Sequence, residues 1–392
     1  MAETVGVIGA GGWGTAIAKV LAELGHEVCL WCREPRLAEE IRERRTNSAY
    51  LPGVVLPAGI APESDPLAAA SGRSVLVLAL PSPYLMGSLR GILAAPNVMD
   101  GESLVVVVTK GFIPGPRGPR LILDALEDRL PGRYRDQLVY LSGPSHAEEV
   151  ARGRVTGLVA ASANGRNAIR VRELFRGSRV LVFPSLDSVG VQVCAAAKNV
   201  IAIAFGMLDA FATAAGADQA ESAAAAAPLG PAGGLPAEGL PAEGLFGDNT
   251  ESLLLAAGLN EMQILGRALG ASHPETFSSL AGVGDLDVTC RSIHGRNRRF
   301  GREIVGKGIL EPFAGIGDLV SRIGEIGYLP EGAAAAAQIR AVAVERRLDL
   351  PIMEGVYRIL NREVEPLEFL ESYLGSLGAR MGDLPEGGGE SR

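Results

Sequence analysis

The chain is poor in cysteine, with four in 392 residues. Cys29, Cys32, Cys194 and Cys290 all sit in strand-like or helical apolar settings, which suits reduced core thiols in a cytosolic protein rather than a disulfide framework. "CLWC" does form a CxxC. No second pair accompanies it, and residues three apart on a strand point to opposite faces, so neither a zinc nor a redox role is expected. The four histidines, His294 among them, show no metal-ligand spacing, and no metal is expected. A basic excess is lacking too. Lysine and arginine number 37 against 45 aspartate and glutamate, a formal charge of −8, which argues against a general nucleic-acid or membrane-surface binder. Any anionic ligand must therefore find a local basic patch. The opening "MAETVGVIGAGG" lacks the basic-then-apolar order of a signal peptide, so the cytoplasm is the expected compartment.

What is present is length and apolar content. At 392 residues, 47% of them hydrophobic, the chain exceeds the size at which a single core stops growing, and two domains are expected. Up to about residue 185, short apolar runs alternate with helical patterns: "TVGVIG", "EVCLWC", "SVLVLALP", "SLVVVVTKG", "LVYLSGP", "TGLVAAS" and "VLVFPS". Continuous runs of this kind read as strands buried on both faces of a parallel sheet with crossover helices. From about Ser188 the strand signals stop and apolar residues recur at helical spacing. The expected fold is α/β: an N-terminal Rossmann-type doubly wound domain over residues 1–187, then a mainly helical domain over 188–380. Within the second domain, residues 212–246 are rich in alanine, glycine and proline and give "GLPAE" twice. They read as a mobile surface insertion with some helix over 223–227, and residues 381–392 read as a frayed tail.

One apolar run, Val189–Leu208, is 20 residues long, enough to span a bilayer as a helix at about 1.5 Å per residue. Gln192, Lys198 and Asn199 interrupt it, and no cluster of basic residues flanks it, so a buried helix of a soluble protein is the better reading. On composition alone, Lys198 is expected to snorkel to water along its stem. The alternative is a polar pocket that supplies partners.

Two motifs carry chemistry. In "VGVIGAGGWGTAIAKVLAELG", Gly9, Gly11 and Gly14 form a GxGxxG between a strand and a helix. The first glycine permits a tight turn, the second close approach of a pyrophosphate, and the third tight helix packing. The helix N-terminus then offers free N–H groups to phosphate. Beyond the second strand stands Arg33, which favours NADP(H) through a 2′-phosphate, while the neighbouring Glu34 keeps NAD(H) open. The second motif, "GVGDLDVTCRSIHGRNRRFGRE", crowds Arg291, Arg296, Arg298, Arg299 and Arg302 behind Asp285 and Asp287. It reads either as a solvated helix face or as a pocket for an anionic group, with Arg296 a bidentate phosphate ligand.

These residues, with "YLPGVVLP", "VVTKG", "SGPSHAEEVARG", "AAAKNVIAIAFGMLD", "GDNTESLLL", "AGVGDLDVTC", "GRNRRFG" and "LDLPIMEGVYRIL", resemble the NAD(P)-dependent glycerol-3-phosphate dehydrogenases of the bacterial type, over nearly the whole chain. The resemblance implies that Gly12, Trp13, Arg33, Tyr50 and Lys110 lie along the cofactor. It places Gly143, Ser145 and Ala147 along the cleft, and has Arg296 and Glu331 closing on the cofactor from the helical domain. Substrate is implied to meet Lys110, Lys198, Asp285, Gly295, Arg296 and Asn297, with Lys198 the catalytic lysine, Asp285 orienting it, and Asn199 and Thr289 in support. The implied activity is reversible reduction of dihydroxyacetone phosphate to sn-glycerol 3-phosphate in a cleft between domains, supplying glycerophospholipid synthesis. The partner is a small phosphorylated substrate, not nucleic acid or a membrane, and the resemblance admits a homodimer. Departures from the family pattern fall at Glu251, at Ala256, Ala257 and Gly258, and at Ala334. Rival readings are a dehydrogenase for another phosphorylated hydroxy compound and a non-catalytic NAD(P)-binding protein.

Overall fold

In a computed structural model of the chain, the apolar runs of the first half become one eight-stranded sheet in the order β3-β2-β1-β4-β5-β6-β7-β8. The strands are β1 (Thr4–Ile8), β2 (Glu27–Trp31), β3 (Ile60–Glu63), β4 (Val75–Leu78), β5 (Leu104–Val107), β6 (Val139–Ser142), β7 (Thr156–Ala161) and β8 (Val180–Ser185). The structure describes residues 2–116, 118–215, 246–292 and 295–382. Residues 216–245 of the expected insertion, His294, and the tail beyond residue 382 lie outside the described residues, whereas 212–215 continue a helix.

Alternate residues of the central strands feed two cores, one on each face. Val5, Val7, Val28, Leu30, Val75, Val77 and Val106 lie in one; Ile8, Cys29, Trp31, Leu76, Leu78, Val105 and Val107 lie in the other. This is why the runs are continuous rather than alternating in polarity. It also separates the two cysteines of the CxxC, with Cys32 in the first core and Cys29 in the second. Two features differ from the expectation. The strand β3 has no counterpart among the expected runs: it is a four-residue edge strand, "IAPE", in which only Ile60 is buried, so it lacks the apolar signal of its neighbours. The sheet is also not parallel throughout, because β7 runs antiparallel to β6 and β8 follows β7. As an edge strand, β8 buries Val180 and Val182 but leaves Leu181 and Phe183 about half exposed.

Every described element after β8 is helical. The chain divides into two compact units: Met1–Lys198, Met262–Thr289 and Ala341–Leu348 form one, and Asn199–Glu261, Cys290–Arg340 and Asp349–Arg392 the other. The helix Ser188–Ala215 contributes to both. Its stretch Ser188–Thr213 is long and apolar enough to cross a membrane, and its most apolar window is wholly buried inside the protein. In the second unit this helix meets the helix Arg296–Lys307 at backbone contact. A Cβ on Gly206 would lie 2.1 Å from the Arg298 carbonyl oxygen, and one on Gly301 2.1 Å from that of Ile203. Only glycine lets these two backbones approach so closely.

Candidate active site

The strand β1 ends at a turn that requires glycine. Gly9 holds φ at +122°, and a Cβ on Gly14 would sit 2.0 Å from the Gly9 carbonyl oxygen. The turn opens the helix Gly12–Glu23, whose N-cap Gly11 makes no side-chain cap and whose first turn holds no acidic residue. A Cβ on Gly11 would meet nothing within 4 Å. Unpaired N–H groups therefore open on free space at the positive end of a helix dipole, which fits the pyrophosphate of a dinucleotide. Other expected cofactor residues gather here. The notional Cβ of Gly12 lies 2.8 Å from the Tyr50 carbonyl oxygen and 3.6 Å from the Ala147 Cβ, and Trp13 is half-buried against the first core. Asn47, which the sequence reading missed, ties these parts together. Fully buried, it donates to the Ala10 carbonyl at 2.9 Å and to Thr15 Oγ1 at 2.8 Å, and its Oδ1 accepts from the Tyr50 N–H at 3.1 Å.

Parallel strands bring their carboxyl ends to one edge of the sheet, where ligands of such folds bind. Beyond β2, the exposed Arg33 donates through Nε and Nη2 to Glu34 Oε1, at 3.1 and 2.8 Å. Its guanidinium carbon lies 5.8 Å from the ring centroid of Tyr84, which follows β4 and is 54% exposed. Tyr84 was also missed. Its one readable signal is an aromatic ring just past a strand end, too common to single it out.

Beyond β5, Thr109 Oγ1 donates to the Leu80 carbonyl at 2.7 Å and so fixes the backbone that presents Lys110. Past β6, Gly143 takes φ +144°, and Ser145 Oγ returns a hydrogen bond to its carbonyl at 2.9 Å. Between these ends lies a buried charged cluster. Lys198, 4% exposed, donates to Asp285 Oδ1 and to Thr289 Oγ1 at 2.8 Å. Thr289 in turn donates to the Asp285 carbonyl at 2.6 Å. Lys110 Nζ stands 3.7 Å from Asp285 Oδ2, and Ser142 Oγ 3.5 Å from the same oxygen. Snorkelling of Lys198 is therefore overturned: the amine is sealed in and partnered, because an acid 87 residues downstream folds back onto it.

Burial pulls the Lys198 ammonium down from the usual amine range to about 7, opposed by Asp285 and reinforced by Lys110. An ammonium has three N–H donors, and Asp285 and Thr289 engage two of them. His146, a third residue missed from sequence, is held below the ordinary histidine range by burial. A bond to the Val288 backbone opposes that shift, and the charges of Lys198 and Lys110 add to it.

The remaining expected residues belong to the second unit. Asn199 Oδ1 accepts from Asn297 Nδ2 at 3.0 Å, and Asn297 Oδ1 accepts from the Gly332 N–H at 2.9 Å. Both side chains are buried. Gly295 is the N-cap of the helix Arg296–Lys307, again without a side-chain cap. Arg296 is exposed, 4.0 Å from Glu331 Oε1. The other arginines of the cluster do not share one pocket role. Arg298 and Arg302 converge on the buried Asp209 at 2.7 and 3.1 Å, Arg291 pairs with Glu251 at 3.1 Å, and Arg299 pairs with Glu303 at 3.0 Å.

Residues 4–168 match the family described as NAD-dependent glycerol-3-phosphate dehydrogenase N-terminus, and residues 237–371 match the corresponding C-terminus. The chain is 50% identical over 381 residues to glycerol-3-phosphate dehydrogenase (NAD(P)+) of Treponema pallidum strain Nichols, covering 95% of this chain and 99% of the relative. It is 36% identical over 362 residues to the enzyme of that name from Moorella thermoacetica, covering 92% of each. The crystal structure of glycerol-3-phosphate dehydrogenase from Coxiella burnetii superposes with a TM-score of 0.74 at 27% identity, covering 95% of this chain and 99% of that one.

Proposed function

This chain belongs to the NAD-dependent glycerol-3-phosphate dehydrogenase family, and we propose that it reversibly reduces dihydroxyacetone phosphate to sn-glycerol 3-phosphate with NAD(H) or NADP(H). The observation that carries the reading is the sealed cluster of Lys198, Asp285, Thr289 and Lys110 beside the ends of β5 and β6. When bound, the nicotinamide supplies or accepts the hydride. The chain supplies the proton. In reduction, the Lys198 ammonium gives a proton to the carbonyl oxygen as negative charge develops there; in oxidation, the neutral amine takes it from the hydroxyl. Burial makes both forms accessible near neutrality. Asp285 and Thr289 orient the amine and leave its third N–H for substrate, and Lys110 adds positive charge at the same oxygen.

Gly9, Gly11, Gly12, Trp13 and Gly14 hold the dinucleotide's phosphates, with Arg33 and Tyr50 toward its adenosine, and Ala147 and Glu331 complete the cofactor contacts. Gly295, Arg296 and Asn297 take the substrate phosphate at an uncapped helix start, and Gly143 and Ser145 line the substrate. In this reading residues 1–187 form the dinucleotide-binding part and 188–380 the substrate part of a cytoplasmic enzyme that supplies glycerophospholipid synthesis and pairs as a homodimer. The test is oxidation of NADH and of NADPH by the purified chain with dihydroxyacetone phosphate, beside unphosphorylated dihydroxyacetone. Turnover that requires the phosphate supports the reading. Tight cofactor binding with no turnover on any phosphorylated ketone would make the chain a non-catalytic binder.

A further inference from the structure

The residues just past β2 border the adenosine ribose in a dinucleotide fold, where a carboxylate selects NAD by accepting from the 2′-hydroxyl and an arginine selects NADP by holding the 2′-phosphate. This chain carries one of each, side by side, and they are bonded to each other. We propose that Glu34 is the residue that sets cofactor choice: it captures Arg33, and so turns a site that looks built for a 2′-phosphate into one that selects NAD(H). This rests on the dinucleotide reading of the glycine turn.

Three observations carry it. First, Glu34 Oε1 takes both donors along one edge of the guanidinium, Nε at 3.1 Å and Nη2 at 2.8 Å, which is the edge a phosphate would use bidentately. Second, the guanidinium carbon lies over the Tyr84 ring, 5.8 Å from its centroid, so Arg33 has a second contact besides its bonded edge. Third, Glu34 is the N-cap residue of the helix Pro35–Arg44, yet its side chain makes no cap bond. Its carboxylate has no duty to the helix, and its Oε2 stays out of both bonds to Arg33. A 2′-phosphate of about two negative charges would have to displace this carboxylate or lie beside it, whereas a free ribose gains an acceptor. An exposed ion pair alone is weak; the discrimination comes from the carboxylate's charge at that spot as well as from the captured donors.

The test is titration calorimetry of NADH and NADPH against the parent chain, Glu34→Gln, and the double variant Glu34→Gln with Arg33→Ala. The parent should bind NADH at least about tenfold more tightly than NADPH. Charge-assisted bonds of the kind Arg33 would regain correspond to roughly 10- to 150-fold, so Glu34→Gln should shift the NADPH-to-NADH affinity ratio by about 30-fold toward NADPH. The double variant should lose most of that gain, because the released guanidinium is gone. A parent that prefers NADPH, a ratio within about threefold of the parent in Glu34→Gln, or a gain that survives removal of Arg33 overturns the proposal while leaving the dinucleotide site intact. Failure of every form to bind either dinucleotide overturns the underlying reading as well. Melting curves of the variants should match the parent, since the side chain caps nothing.

Discussion

One helix, Ser188–Ala215, carries two buried charges that the protein treats in opposite ways. Asp209 is 6% exposed and meets two guanidinium groups, Arg298 at 2.7 Å and Arg302 at 3.1 Å. Lys198 is equally buried, but it shares its acid, Asp285, with a second cation, Lys110. Around Asp209 cations outnumber the acid, and the arginines reach partway to solvent, so the charge is neutralised and held. Around Lys198 the acid is divided between two ammonium groups and burial weakens the charged form; in the proposed reading, one N–H is left for a substrate. The first arrangement keeps a fold. The second, in the proposed reading, keeps a group poised to gain and lose a proton, which is what a reaction adding hydride to a ketone requires.

Substitutions at the two positions should separate along that line. Lys198→Ala is expected to lower turnover about 100-fold or more, the scale of a lost acid–base group, while the affinity for NADH stays within about threefold. Near-normal turnover in a folded variant would remove Lys198 from the chemistry. Asp209→Asn should do the reverse. It leaves two arginines without their carboxylate, at roughly 1–3 kcal/mol, which thermal unfolding should register as a melting point a few degrees lower. Catalytic efficiency per folded molecule should stay within about twofold of the parent. An Asp209→Asn chain that melts normally but has lost activity would break the comparison.

The pH dependence sharpens it further. Reduction needs the ammonium form of Lys198, so kcat/KM for reduction should fall as pH rises through about 7, approaching tenfold per unit on the alkaline limb. Oxidation needs the neutral amine, so its kcat/KM should rise through the same region. Both limbs should vanish in Lys198→Ala, and Asp209→Asn should retain them. Limbs of the same sign in both directions would assign the titration to another group, for which His146 is the neighbour to test.

Much of this was legible in the sequence, though unevenly. The glycine turn could be read in full, because Gly9, Gly11 and Gly14 act through backbone geometry that is local in the chain. Six strands announced themselves because both their faces are buried, and β8 because its exposed positions Leu181 and Phe183 are apolar too; β3 did not, since Pro62 and its exposed edge give no run to detect. The reversal at β7 leaves no mark in a run that is buried either way. Lys198 shows the limit of local reasoning. Its surroundings in sequence are alanine and valine, and the acid that explains it lies 87 residues away; only the resemblance to a family joined the two. Asn47 escaped for the same reason, since its partners Ala10 and Thr15 belong to a turn more than thirty residues earlier.

The smallest effect expected within the cluster is at Thr289, and it discriminates best between orientation and simple packing. Thr289 Oγ1 accepts from Lys198 at 2.8 Å and donates to the Asp285 carbonyl at 2.6 Å. Valine has nearly the same shape but neither function. Thr289→Val removes an acceptor that favours the charged amine, so the Lys198 ammonium should become easier to deprotonate. The midpoints of both pH profiles should then move downward together. At neutral pH, reduction, which needs the proton, should fall by about three- to tenfold, the scale of one hydrogen bond's net contribution. Oxidation, which needs the neutral amine, should fall less. Thr289→Ser keeps the hydroxyl and should restore both midpoints. A loss equal in both directions, with unmoved midpoints and no recovery in the serine variant, would mean that Thr289 only fills space beneath the lysine.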